Sequence, residues 1–180
     1  MNVVKKILGI IGAVTLTIGI ASPALAMGAS DAYDNMQVGV TYTVYEPTFT
    51  AGLKARHIAG NDLCPKGTEQ NLNAQYGKGN TRNFTITEGN PMCIDIGVGE
   101  VVLKTKINGA SAVVEAYCDP ALGKRCTKAD VKKHGGHLEV TLPGVNGLRP
   151  TRIWIETYGG NNVSAQQLVQ IAKSLTAVSS

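Results

Sequence analysis

Histidine, tryptophan and surplus charge are all scarce in this chain of 180 residues: three histidines, one tryptophan and a formal net charge of +4. With three histidines an enzyme has one or two to work with. Neither a Gly-x-Ser-x-Gly elbow nor a recognisable Ser, His and Asp setting occurs, and no His-Glu-x-x-His pair is present. Gly77-Lys78-Gly79-Asn80 lacks the spacing of a phosphate-binding loop and reads as a turn. The charge is too mild for the dense basic stripe that nucleic-acid binding needs. No apolar run after Ala26 approaches the roughly 20 residues that cross a bilayer. Internal repeats and low-complexity tracts are absent, which points to one domain.

The amino terminus is the most informative segment present. Lys5 and Lys6 are the only charges of the first 26 residues, Ile7 to Ile20 is an uncharged apolar run, and Ser22-Pro23-Ala24-Leu25-Ala26 supplies an Ala-x-Ala exit. That layout is a bacterial secretory signal peptide over residues 1–26, with cleavage after Ala26. No cysteine follows the apolar run, so lipid attachment by that route is not expected. The processed chain of 154 residues carries 15 basic and 13 acidic side chains and is long enough to bury roughly 70% of its unfolded surface. It is expected outside the cytoplasm, at the envelope or secreted, with no transmembrane segment and no cofactor.

Export bears on Cys64, Cys93, Cys118 and Cys126. An even count in an oxidising compartment reads as two disulfides, and four cysteines allow three connectivities. Cys64–Cys93 with Cys118–Cys126 is preferred because each closes a local loop, for about 3.5 and about 2.5 kcal/mol respectively. Cys-x-x-Cys redox spacing does not occur.

Residues 27–38 are small and polar and read as a flexible leader, with a single α+β domain over 39–180. Strands are expected at Val40–Tyr45, Leu53–Ile58, Leu72–Tyr76, Thr81–Thr87 and Cys93–Ile96. Asn108-Gly109 is the strongest turn signal and centres a hairpin over Glu100–Tyr117. Its register pairs Ile107 with Ala110, Thr105 with Ala112, Leu103 with Val114 and Val101 with Ala116, all on one buried face. Glu100, Lys104, Lys106, Glu115 and Tyr117 take the other face. In His137–Leu142, residues Leu138, Val140 and Leu142 alternate inward. In Thr151–Glu156, Ile153 and Ile155 face in while Arg152, Trp154 and Glu156 face out. Ser164 and Gln167 form a capping box, Val163 and Leu168 a staple, and Leu168, Ile171, Ala172 and Leu175 an apolar stripe. The expected architecture is a curved antiparallel β-sheet covered on one face by this C-terminal helix.

Four constellations bear on function. His134-Gly135-Gly136-His137 offers two imidazoles to a metal, with His57 elsewhere and Cys118 and Cys126 as further zinc-type ligands. A catalytic zinc needs three protein ligands, and a solvated turn is the simpler reading. Carboxylate pairs such as Asp95 with Glu100, or Glu115 with Glu139, fit the wet face of a sheet. Arg152 and Trp154 together have the composition of an interaction surface. Cys118–Cys126 staples a loop whose basic tip, Lys124-Arg125, suits binding at low ordering cost. Leu142–Gly147 lacks the Thr-Gly pair and apolar tail of a sortase signal. The sequons Asn83-Phe84-Thr85 and Asn162-Val163-Ser164 matter only in a eukaryotic secretory pathway.

Tyr117-Cys118-Asp119-Pro120 with Cys126, Leu148-Arg149-Pro150-Thr151 and Val163–Leu175 together resemble small exported actinobacterial proteins of unknown function. The ending is also similar to bacterial envelope proteins built from a curved antiparallel sheet and helices. That resemblance implies no catalytic residues. The cysteine spacing departs from that of subtilisin-inhibitor-type proteins. The expected function is a non-enzymatic secreted binding domain for a protein or small ligand. Two alternatives stand beside it: a protease inhibitor or antagonist acting through the 118–126 loop, and a metal-dependent enzyme or carrier at His134 and His137.

Overall fold

A computed structural model describes residues 27–61, 69–78, 81–89, 99–118, 125–158 and 162–179. Residues 1–26, Cys64, Cys93, the expected strand Cys93–Ile96 and Lys124 lie outside them. Three helices occur among these residues: α1 (Met27–Val38), α2 (Lys128–His134) and α3 (Ala165–Lys173). The strands in chain order are β1 (Tyr45–Pro47), β2 (Ala55–Asn61), β3 (Asn71–Gly77), β4 (Asn83–Gly89), β5 (Glu100–Ile107), β6 (Ala110–Ala116), β7 (Gly136–Leu142), β8 (Thr151–Thr157) and β9 (Leu175–Ala177).

Seven strands form one antiparallel sheet in the order β2-β3-β4-β8-β7-β6-β5, and β1 pairs with β9 in a separate two-stranded ribbon. Period-2 alternation sets the core face. Ala74 stands opposite Ile86, Ile86 opposite Ile155, Ile155 opposite Leu138 and Leu138 opposite Val114. All five are buried in one hydrophobic cluster. Leu168, Ile171 and Ala172 of α3 belong to the same cluster, and α3 contacts β5, β7 and β8. Each large apolar side chain buried there contributes about 1.5–3 kcal/mol relative to exposure.

The hairpin turns on Asn108 and Gly109, whose positive φ angles of 48° and 89° suit the primed turn that an Asn-Gly pair favours. Three of the four expected cross-strand pairs occur. The fourth does not. A bulge between Val101 and Leu103 sets Val101 opposite Glu115 and Glu100 opposite Ala116, which turns Val101 out to solvent because one extra residue reverses the facing.

Residues 27–38, expected to be a flexible leader, form α1. Tyr33, Met36 and Gln37 share one helical face, and Tyr33 and Gln37 are buried. The Gln37 side chain donates to the Tyr42 carbonyl at 3.0 Å and accepts from Val44 N–H at 2.7 Å, replacing ladder partners for the segment that follows. The expected strand Val40–Tyr45 is thereby reduced to an isolated parallel bridge between Tyr42 and Arg149, with regular pairing only over β1. The helix α2 was not anticipated from sequence. Thr127 and Asp130 form its capping box, and Val131 is its one buried residue. Of the two expected disulfides, Cys118–Cys126 is present among the described residues.

Candidate functional site

The face of the sheet opposite the core is where the chemistry-bearing side chains gather. Period-2 register places His137 of β7 opposite Glu156 of β8 on one side and Glu115 of β6 on the other. Tyr117 and Tyr158 follow directly after β6 and β8. Two glycines permit this approach. A β-carbon on Gly135, whose φ is +95°, would lie 2.6 Å from the Thr157 carbonyl oxygen and 3.4 Å from the Tyr117 ring. One on Gly136 would lie 2.2 Å from the Glu115 carbonyl oxygen. Gly135-Gly136 is therefore a close-packing device rather than a loose turn.

Hydrogen bonding then fixes the cluster. Tyr117 donates its hydroxyl proton to Glu156 Oε1, and Tyr158 donates to Glu156 Oε2. His137 Nδ1 lies 2.9 Å from the Tyr117 hydroxyl oxygen. Tyr117 has a single proton, already given to a carboxylate that can only accept, so His137 must donate from Nδ1. That assignment leaves Nε2 as the unprotonated nitrogen of the neutral ring, facing Glu115 Oε2 at 3.8 Å. Glu115 also accepts from Gly99 N–H at 3.2 Å. Burial pushes the His137 pKa below its usual 6.5, against the opposing pull of Glu115, Glu156 and Glu139. Burial and the bond to Glu156 both raise the Tyr117 and Tyr158 hydroxyls, keeping them protonated.

Beside this cluster, Arg152 donates to Glu139 at 2.8 Å and stacks its guanidinium 4.3 Å from the centre of the Trp154 ring. Trp154 occupies the outward register position expected of it, between Thr87 and Glu139, yet it is only 3% exposed. Its indole N–H has no acceptor among the described residues. Arg152 is half-buried, so the contact surface here is guanidinium and not indole.

The remaining candidates are dispersed. His57 is exposed on β2, and His134 is exposed at the end of α2, 3.9 Å from Asp130. His134 and His137 thus face different carboxylates. Among the described residues, the group of three possible ligands that lies close together is Glu100, Cys118 and Cys126. Its two sulfurs are joined to each other and offer no thiolate, while Glu100 accepts from Cys126 N–H at 2.8 Å. Arg125 is exposed just inside the disulfide.

A second polar cluster, missed in the sequence, sits inside the core. Phe84, Ile86 and Glu88 alternate onto the core face of β4, which puts the Glu88 carboxyl between Leu72 and Ile153. Glu88 is fully buried. Oε2 accepts from Tyr45 N–H at 2.8 Å, and Oε1 has no partner among the described residues. Tyr33 and Tyr76 share a buried hydroxyl–hydroxyl bond of 2.8 Å, and burial pushes the Tyr76 hydroxyl up to about 12. Desolvation raises the Glu88 pKa well above its usual 4.5, which favours the neutral acid. Between β5, α2 and α3 a groove of about 350 Å³ is lined by Leu103, Ala129, Ala165 and Val169, with Lys128 beside them.

No family model matches the chain, and neither a curated protein nor a solved structure matches it.

Proposed function

We propose that this chain is an exported, non-enzymatic binding domain acting at the cell envelope or outside the cell, with the polar face of its sheet as the binding surface. The observation that carries this reading is the state of His137. His137 is 1% exposed, and its proton-bearing nitrogen is committed to Tyr117. A general base must reach the proton it abstracts, whereas a binding surface gains from side chains already fixed in place. The Cys118–Cys126 bridge is consistent with an oxidising destination, as are the Lys5-Lys6 head and Ala-x-Ala exit. The resemblance to small exported actinobacterial proteins supports the same placement. Packing of α3 on β5, β7 and β8 supports the reading of α3 as the cover of the core face, which leaves the opposite face of a curved sheet for a ligand.

Two measurements test this. Purified protein is assayed against ester, peptide, glycoside and phosphate substrates. Turnover abolished by His137→Ala would replace binding with catalysis. Retention of the protein on isolated envelope material is then compared with that of Tyr158→Ala, which is expected to be retained less. Equal retention removes this face as the surface. The inhibitor reading keeps one supporting observation, the exposed Arg125 beside the disulfide. Trypsin-like proteases unaffected at micromolar protein would remove it. For the metal reading, His134 and His137 facing separate carboxylates weigh against a shared ion. A metal that co-purifies and is lost in His137→Ala would restore it.

A further inference from the structure

Within the polar face, three features converge on one ligand chemistry. The first is the pair of tyrosines. The rings of Tyr117 and Tyr158 have centroids 6.5 Å apart and planes 32° apart, and Tyr158 is 52% exposed. At that separation one cation can lie within about 6 Å of both centroids. The second is the use of their hydroxyls. Both donate to the two oxygens of Glu156, which locks the rings and pushes electron density from the carboxylate side into each π face. The third is charge. Glu139 is paired with Arg152, but Glu115 and Glu156 have no lysine or arginine partner among the described residues, and His137 beside them is neutral. A doubly negative, aromatic patch thus lies on a chain whose net charge is positive.

We propose that Tyr117, Tyr158, Glu156 and Glu115 form a receptor for one organic cation, an alkylammonium or guanidinium group carried by the ligand. The cation lies over the two tyrosine faces while the carboxylates supply its counter-charge. The hydroxyls are already spent on Glu156, so selectivity rests on charge and ring contact and not on hydrogen bonds to the ligand. A hydrated metal ion would have to shed water for oxygens that already accept hydrogen bonds, whereas an organic cation meets π faces without that cost. This identification rests on the binding reading above and adds the chemistry of the ligand.

The test is an NMR titration of the purified protein at constant ionic strength with tetramethylammonium, Nα-acetyl-arginine amide and, as neutral control, tert-butanol. Saturable shifts centred on Tyr117, Tyr158 and Glu156 with a cation, and none with tert-butanol, are expected. The tighter of the two cations tells a free quaternary amine from a side chain of a partner protein. Tyr158→Ala should weaken binding by about five- to tenfold, and Tyr158→Phe, which keeps the ring, by less than about threefold. Trp154 emission confirms that both variants are folded. No saturation by about 50 mM cation, well beyond millimolar affinity, overturns the proposal, as does an equal response to tert-butanol. If that happens while envelope retention still depends on Tyr158, the ligand chemistry is wrong and the binding face stands. If retention is also unchanged, both fall.

Discussion

Glu88 and His137 are buried titratable groups on opposite faces of one sheet, and burial moves them in opposite directions. Glu88 titrates near 4.5 when unfolded and well above that when folded. Its contribution to stability is fully present below pH 4.5 and is lost as pH rises through the folded value. His137 titrates near 6.5 when unfolded and lower when folded. Its contribution is present above pH 6.5 and is lost as pH falls toward the folded value. Glu88→Gln keeps the shape and cannot ionise, so its Tm should stay level with rising pH where the wild type declines. His137→Asn keeps a donor for Tyr117 and should lose the decline below pH 6.5. Calorimetric Tm from about pH 4 to 9 for the three proteins checks both signs. A parallel Tm curve for either variant would mean that its parent group does not change protonation on unfolding.

Among the elements, α3 and the β5–β6 hairpin were the most legible in the sequence, because their signals are local. Ser164 accepts from Gln167 N–H at 3.2 Å while Gln167 Oε1 accepts from Ser164 N–H at 3.0 Å, the reciprocal cap that the Ser-x-x-Gln spacing announces. Ser164→Ala should therefore cost about 1 kcal/mol, read as a lower urea midpoint at unchanged slope. Gln166→Ala, exposed in the same turn, should stay within about 0.5 kcal/mol. Opening the α2-proximal loop by Cys118→Ser with Cys126→Ser should cost about 2.5 kcal/mol, read in the same way. What was not legible depends on distant partners. Residues 27–38 look like a leader until Tyr33 meets Tyr76 and Gln37 meets Tyr42 and Val44. Val101 keeps perfect alternation on paper, and only the bulge turns it outward. The candidate site follows the same division. The outward positions of Glu115, Tyr117, His137 and Glu156 were readable from period 2, but their meeting needed the strand order β6-β7-β8. Glu88 carried a readable signal just past the expected strand end at Thr87: two positions beyond Ile86, it had to share the core face.

At the scale of the molecule, the join between β4 and β8 decides how the fold comes apart. Among the described residues, the meander β2–β4 and the meander β5–β8 become one sheet through that pair, and the β1–β9 ribbon ties the amino-terminal segment to the end of α3. Ile155 sits at the join, opposite Ile86 of β4 and Leu138 of β7, and is fully buried. Trp154, the single tryptophan, occupies the same join from the other face, so its emission reports on that seam alone while far-UV ellipticity reports on every strand. One shared hydrophobic cluster across both meanders favours a single cooperative transition. Urea unfolding followed by the two probes should then give coincident curves. Ile155→Ala should shift both together by about 2–5 kcal/mol, the cost of a core cavity. Emission changing at lower urea than ellipticity would show instead that the seam opens first and that the two meanders are separate units of stability.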